Sequence, residues 1–149
     1  MPTPPPGATA SDHLQHIVDL ASQWLALSQE QPHRFALVTM MLASPRLVLT
    51  KPDDIQPALS AVQRVVAPVA RALGRAVDAG ALSDGSPIDR SVLLFAGAQG
   101  ILQLGKSAAH APMLLDVPRL YAAMVRSLLA GWGAPAGRAS SALTPESAL

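Results

Sequence analysis

Residues 86–104 read SPIDRSVLLFAGAQGILQL, and this stretch decides the fold that the sequence predicts. Ser86 stands where a helix N-cap is expected, Pro87 suits the first helical position, and Asp89 follows three residues after the cap. The segment beyond is nearly all apolar and is predicted to stay helical to about residue 107. A helix with so little charge has to be covered by other helices.

Apolar residues at helical spacing predict two helices before a long third one. The first is predicted to start with Asp12 as its cap and to run to about residue 28. The second starts at Pro32, which fits a first helical turn, and stops at Pro45.

The third predicted helix ends at Gly80, and Pro68 inside it is expected to kink it. Its apolar stripe advances in steps of three and four: Ile55, Leu59, Val62, Val66, Val69, Leu73 and Val77. A last helix begins near Asp116 and is closed by Gly131. No strand pattern competes, so the predicted fold is all-α with five helices over residues 12–133, between a Pro-rich disordered arm (1–11) and a disordered tail (134–149).

Composition excludes several classes of function. Half of the residues are hydrophobic and 14% are charged. The chain has eleven Lys and Arg residues and ten Asp and Glu residues. Affinity for nucleic acid depends on neutralised phosphates, and no block of basic residues is present to supply it. No apolar run reaches the roughly 18 residues of a membrane span, so no membrane partner is expected. No Ser or Cys stands beside a plausible His, and there is neither a carboxylate pair in an apolar setting nor a phosphate-binding glycine loop, so we expect no enzyme and no cofactor.

The order of helix ends and small residues resembles a known family. The sequence passes from LASQWLALSQEQPHRFALVTMML to ALGRAVDAGALS, then to LLFAGAQGILQL and LYAAMVRSLLAGWG. This order is similar to the C-terminal domain of tetracycline-repressor (TetR) type transcriptional regulators, over residues 12–133. The resemblance implies binding of a small effector inside each subunit and a four-helix bundle formed by the last two helices of two subunits. It also implies a cytoplasmic protein.

Regulators of this type begin with a helix-turn-helix unit that reads DNA, whereas only eleven residues precede Asp12 here. We therefore expect no specific DNA binding by this chain alone. Two interpretations stay open: the sequence is a fragment of a regulator, or it is a natural form without the DNA-binding head. In the second case it would be a free-standing interaction protein that pairs with full-length regulators and modulates them.

The predicted effector is a mostly apolar small molecule held by the first four helices. Its candidate wall combines aromatic and aliphatic residues of four helices, namely Trp24, Phe35, Val38, Met41, Leu42, Val62, Val66 and Phe95. Gln99 and His33 are the candidate polar groups. His13 and His16, three residues apart, lack further ligands of suitable spacing, so no metal site is predicted.

A homodimer interface is predicted on the last two helices. A stripe with two glycines on the fourth helix indicates that another helix approaches closely there: Leu93, Gly97, Gly100 and Leu104. The final helix is apolar over a wide arc through Tyr121, Met124, Val125, Leu128 and Leu129. A tight crossing within one subunit is the alternative explanation of the glycines, and the face that forms the interface is left open.

Overall fold

The computed structural model describes residues 7–33, 35–36, 55–108 and 115–135, without the side chains of residues 55–59, 61, 62, 65 and 106–108. Four longer helices lie in this part of the chain: α1 (Ala10–Glu30), α2 (Ile55–Asp78), α3 (Pro87–Ala108) and α4 (Val117–Gly131). The same part contains no strand, which confirms the all-α prediction there. Of the predicted second helix, residues 32, 33, 35 and 36 are helical; the remainder, to Pro45, lies outside the described residues.

The start of α1 differs from the prediction, because Thr9 and not Asp12 is the N-cap. The Thr9 hydroxyl accepts a hydrogen bond from the Asp12 N–H at 3.3 Å, and the Asp12 carboxylate accepts from the Thr9 N–H at 2.7 Å. The two residues form a reciprocal capping box, in which Asp12 occupies the third helical position. The side-chain and backbone hydrogen bonds from Thr9 also lower the pKa of Asp12.

Two helices end in the same left-handed glycine motif. At the end of α2, Gly80 has φ +67°, its N–H bonds the Val77 carbonyl, and the Ala81 N–H bonds the Ala76 carbonyl. These two bonds form a Schellman arrangement, and the positive φ of Gly80 confirms the predicted end of the helix. At the end of α4 the same arrangement forms around Gly133, with φ +96°, and not around the predicted Gly131.

The prediction chose the wrong glycine because only the residue after the C-cap needs a positive φ. Trp132 is the C-cap of α4, which leaves Gly131 inside the last helical turn. The shift lets the Ala134 N–H reach the Leu129 carbonyl at 3.0 Å, and Ala134 is buried. Residue 134 therefore belongs to the folded part of the chain, although the predicted tail begins there.

The cap of α3 is as predicted. The Asp89 N–H donates to the Ser86 hydroxyl at 3.2 Å, and Pro87 is the first helical residue. In α4 the Asp116 side chain accepts from the Arg119 N–H at 3.0 Å and caps that helix in the same way.

In the core, α3 packs between α2 and α4. Helix α1 contacts all three of these helices, and α2 most extensively. Its most deeply buried apolar side chains come from three helices: Ile17, Val18, Leu73, Val125 and Leu129. Burying a side chain of this size contributes roughly 1.5–3 kcal/mol relative to leaving it exposed. The core is aliphatic, as the low content of aromatic residues requires.

Burial varies along the described part of the predicted α2 stripe. Leu73 is fully buried, while Val66, Val69 and Val77 are half-buried. Ala72 and Ala76 are buried beside Leu73 and allow α1 and α3 to approach closely. The side chains of Ile55, Leu59 and Val62 lie outside the described residues.

The turn between α2 and α3 is fastened to the end of α4 by a buried arginine. The Arg90 guanidinium donates to the Ser83 carbonyl at 2.8 Å and to the Asp84 carbonyl at 3.0 Å, and it stacks on the Trp132 ring at 5.5 Å. The Ser83 N–H in turn donates to the Trp132 carbonyl at 2.8 Å. No helix in the described ranges is both long and apolar enough to cross a membrane.

Candidate ligand-binding cavity

A cavity of about 420 Å³ lies among the four helices. This volume is within the range of small-molecule sites in proteins. Its wall is almost entirely apolar and is formed by Leu20, Ala21, Trp24, Leu27, Val66, Pro68, Val69, Leu94, Phe95 and Ala98, with Gln23, Ser91 and Tyr121 completing it. No Lys, Arg, Asp or Glu is among these lining residues, so the cavity offers a ligand no countercharge.

An aromatic cluster forms one end of the cavity. The Trp24 ring lies 5.3 Å from that of Phe35 in an edge-to-face arrangement and 5.4 Å from that of Phe95 at a tilted angle. Such pairs add about 0.5–1.5 kcal/mol beyond the area that they bury. The cluster therefore fixes the position of the Trp24 side chain between α3 and the helical residues after Pro32.

Two hydroxyl groups of the wall are satisfied by the protein itself. The Ser91 hydroxyl donates to the Ile88 carbonyl at 2.7 Å, within α3. The Tyr121 hydroxyl donates to the Ala21 carbonyl at 2.7 Å and so links α4 to α1 across the side of the cavity. Burial of Tyr121 raises the pKa of its phenol well above the ordinary value of 10.0, because the charged phenolate would lose its hydration.

Other buried polar atoms have no hydrogen-bond partner in the described part of the chain. They are Nε1 of Trp24, both amide atoms of Gln99 and Nε of Arg75; neither Gln99 nor Arg75 is among the cavity residues. Trp24 lines the cavity, and Gln99 follows Phe95 by one turn of α3. An unsatisfied buried group of this kind costs about 1–3 kcal/mol.

The structure brings part of the predicted ligand site together. Trp24, Val66 and Phe95 line one cavity. Phe35 is buried against Trp24 behind the wall. His33 is exposed and does not line the cavity, because the helical turn after Pro32 directs it to solvent; its prediction as a polar group of the site is not supported. Val38, Met41, Leu42 and the side chain of Val62 lie outside the described residues.

The sequence prediction missed much of the wall, although a signal for it was present. On α3, the lining residues Ser91, Leu94, Phe95 and Ala98 have the spacing of one helix face, and the prediction named only Phe95. On α1, Leu20, Trp24 and Leu27 repeat this spacing. Tyr121 was missed because its helix was assigned to the subunit interface.

A family model described as tetracyclin repressor-like, C-terminal domain, matches residues 17–128. The chain belongs to this family. No curated protein and no solved structure was found to match the chain. Members of the family are regulatory, non-enzymatic domains.

Within this TetR-like domain, three residues predicted for the subunit interface lie in the core of their own subunit. Tyr121 is 3% exposed, and Val125 and Leu129 are fully buried, so their side chains are not available to a second chain. Each faces inward because α4 packs on α1 and α3. Met124 and Leu128, on the same helix, are half-buried.

The two glycines of α3 have different surroundings. A Cβ on Gly97 would lie 3.1 Å from Sδ of Met124, so this glycine allows the close crossing of α3 and α4 within one subunit. A Cβ on Gly100 would meet nothing within 4 Å. Gly100 thus lies on an open surface, and Gly97 does not require a second chain.

The outer face of α3 exposes large apolar side chains: Ile88 is 64% exposed, Val92 50%, Leu93 54% and Leu104 53%. Ala96, Gly100 and Gln103 are exposed on the same helix. We call these seven residues the outer α3 face. Of the predicted interface residues, Leu93, Gly100 and Leu104 belong to it.

The titration of Tyr121, the only tyrosine of the chain, should be coupled to unfolding. Its pKa is raised in the folded state, so the hydrogen-bonded phenol stabilises the fold below pH 10.0 and this contribution is lost as the pH rises further. Absorbance of tyrosinate should therefore appear only together with loss of helical circular dichroism. Tyr121→Phe should lower the free energy of unfolding by about 1 kcal/mol and remove the tyrosinate signal. Tyrosinate formation at the ordinary pKa in a chain that is still helical would contradict this assignment.

Proposed function

We propose that this chain is the effector-binding and dimerisation domain of a TetR-type transcriptional regulator acting as a repressor in the cytoplasm. The observation that carries the proposal is the uncharged cavity lined by residues of the four helices. A cavity of this size with few polar groups suits a small molecule, and membership of the family gives such a molecule a regulatory role.

The proposed effector is mostly apolar and uncharged. An anionic ligand would lose its hydration on entry without gaining a countercharge from the lining residues, which makes its binding unfavourable. An apolar molecule gains by leaving water, at roughly 25 cal/mol for each Å² that it buries. The composition of the wall therefore favours hydrophobic effectors over phosphates, sugars and carboxylates.

The link between Tyr121 and Ala21 gives the cavity a means of affecting the helices around it. Both residues line the cavity, and their 2.7 Å hydrogen bond is formed between α4 and α1. A ligand that pushes these helices apart would weaken the bond, whereas one that fits between them would preserve it. A ligand would therefore bind more tightly to one relative position of α1 and α4 than to another. This difference in affinity would shift the regulator toward the conformation that binds the ligand better.

The proposed homodimer uses the outer α3 face. A helix that is apolar on all sides is normally covered on all sides, and large exposed apolar patches mark interaction surfaces. Around a two-fold axis, α3 and α4 of each subunit would form a four-helix bundle with this face at its centre. The same face would also suit the alternative role, in which this chain pairs with a full-length regulator of the same type.

Filling the cavity should abolish effector binding. Ala98 is 2% exposed in the wall, and Ala96 is exposed on the same helix, so Ala98→Leu and Ala96→Leu form a matched pair. In a Trp132→Phe background only Trp24 reports, and a panel of planar or acyl-type hydrophobes should quench or blue-shift its fluorescence with saturation. Ala98→Leu should weaken this response at least tenfold because the added carbons occupy ligand volume, while Ala96→Leu should not alter it. Thermal unfolding of both variants checks that they are folded. A response that is unchanged by Ala98→Leu would place the ligand elsewhere.

A charge at Gly100 should separate the subunits. The open space around Gly100 accommodates an arginine in the subunit itself, whereas burial of the charge between subunits would be costly. Sedimentation velocity at tens of micromolar, a concentration above typical dimer dissociation constants, should give a dimer for the unmodified chain and a monomer for Gly100→Arg. Ser22→Arg, at an exposed position of α1, is the control and should remain dimeric. An unmodified chain that sediments as a monomer would refute the dimer.

This chain by itself is not expected to bind DNA specifically. Its basic residues nearly balance its acidic ones, and those of α2 are spread along the helix at Arg64, Arg71 and Arg75. A mobility-shift titration at physiological salt should give no sequence-dependent complex. A specific band that resists competitor DNA would mean that one of these helices reads a DNA groove.

A further inference from the structure

The buried polar atoms in the cavity wall and next to it are unevenly satisfied. The hydroxyl groups of Ser91 and Tyr121 are bonded to backbone carbonyls, whereas Trp24 Nε1 and both amide atoms of Gln99 are buried without a partner in the described part of the chain. Native proteins pair the great majority of their buried polar atoms. The unpaired groups therefore indicate atoms that a ligand is able to satisfy.

Both unpaired side chains are neighbours of Phe95 in the cavity wall, although Gln99 is not itself a lining residue. The Trp24 ring contacts the Phe95 ring, and Gln99 follows Phe95 by four residues on α3, so Phe95 and Gln99 lie on one side of that helix. Trp24 itself lines the cavity. Val66, Val69 and Leu27 are apolar residues of the same wall.

The chemistry of these groups defines what they bind. An indole N–H only donates, while a glutamine amide both donates and accepts. A carboxylate only accepts hydrogen bonds, so it would pair with the Gln99 N–H but leave the Gln99 oxygen without a donor. It would also bring a negative charge into a wall without a cation. A neutral carbonyl group accepts from the donors, and an adjacent N–H donates to the Gln99 oxygen.

We propose, on the basis of the effector-binding role above, that the site takes a neutral carbonyl compound of the carboxamide type. Its polar group lies against Trp24 and Gln99, and its apolar body extends toward Val66 and Leu27. The indole N–H donates to the carbonyl oxygen of the ligand. Gln99 is a specificity residue, because a ligand without hydrogen-bonding groups would leave its amide unsatisfied.

The unpaired amide also predicts how the ligand-free protein behaves. A glutamine that is bonded within the fold destabilises the protein when it is replaced, whereas one that is buried without partners does not. Gln99→Leu should therefore raise the unfolding temperature of the ligand-free protein. Gln63→Leu, at an exposed position of α2, should leave it nearly unchanged. A lower unfolding temperature for Gln99→Leu would show that Gln99 has a structural role and would overturn its assignment to the ligand.

The ligand class is tested with three probes of similar size, namely phenylbutyramide, phenylbutyrate and butylbenzene, by titration calorimetry of the whole chain. Trp24→Phe keeps an aromatic ring but removes the N–H, and its control is Trp132→Phe, whose ring stacks on Arg90 outside the cavity. We expect phenylbutyramide to lose about fivefold to tenfold in affinity in Trp24→Phe and in Gln99→Leu. Butylbenzene should change by less than about twofold in the same variants. The Trp132→Phe and Gln63→Leu controls should bind both as the unmodified chain does.

The outcomes separate this inference from the proposed function. If phenylbutyramide and butylbenzene both bind and neither Trp24→Phe nor Gln99→Leu distinguishes them, bound water serves the polar atoms; the inference fails and the apolar effector site stands. Tighter binding of phenylbutyrate than of phenylbutyramide would also overturn the inference. If no probe binds, the cavity is not an effector site for molecules of this kind, and the proposed function fails with it.

Discussion

Helix α3 has no charged side chain between Arg90 and Lys106. This uncharged stretch constrains how the other described helices pack. A helix of this kind has to be kept from water on every side, because its apolar surface is worth roughly 25 cal/mol for each Å² that is buried. Helices α2 and α4 cover two of its sides. The remaining surface is divided between the cavity, through Phe95 and Ala98, and the outer α3 face. Both candidate functions of the domain thus derive from one uncharged helix.

The position of α4 on α3 depends on a small number of specific contacts. Because Gly97 has no side chain, α4 approaches α3 so closely that a Cβ at Gly97 would contact Met124. The Tyr121 hydroxyl fixes the other side of α4 to α1. At the far end, Arg90 holds the turn before α3 against Trp132. A Cβ at Gly85 would lie 2.6 Å from Nη2 of Arg90, so a larger residue there would force the guanidinium to shift. These contacts hold α4 in position next to the cavity that lies among the four helices.

The cavity reflects a compromise between stability and binding. A domain selected for stability alone would fill about 420 Å³ of space with side chains and would not bury an unpaired glutamine. Here, satisfied groups such as Tyr121 stand close to unsatisfied ones such as Trp24 Nε1. Binding sites commonly keep polar groups that the fold itself does not need, and they do so at a cost in stability. The pattern of pairing therefore separates the structural polar groups from those left for a ligand.

The sequence by itself determined the helical class and most of the helix ends in the described part of the chain. Ser86, Pro87, Asp116 and Gly80 could be placed because capping depends on hydrogen bonds within a few residues. The prediction of helix ends was less accurate where two nearby residues are suited to the same role. Thr9 and Asp12 form one cap together, and Gly131 and Gly133 are both plausible ends of α4. Trp24, Val66 and Phe95 could be assigned to a common site, since the helix periodicity gives the face on which each lies.

Only the tertiary structure decided what covers each apolar face. Tyr121, Val125 and Leu129 have the same spacing whether α4 faces a second subunit or its own core, and packing against α1 and α3 buries them in the core. Gly97 and Gly100 are equivalent in sequence, yet the first faces Met124 and the second faces open space. Periodicity reports that a face is apolar, but the identity of its neighbour depends on contacts between residues far apart in the chain. For the same reason, the bond from Tyr121 to Ala21, one hundred residues apart, could not be predicted from either segment alone.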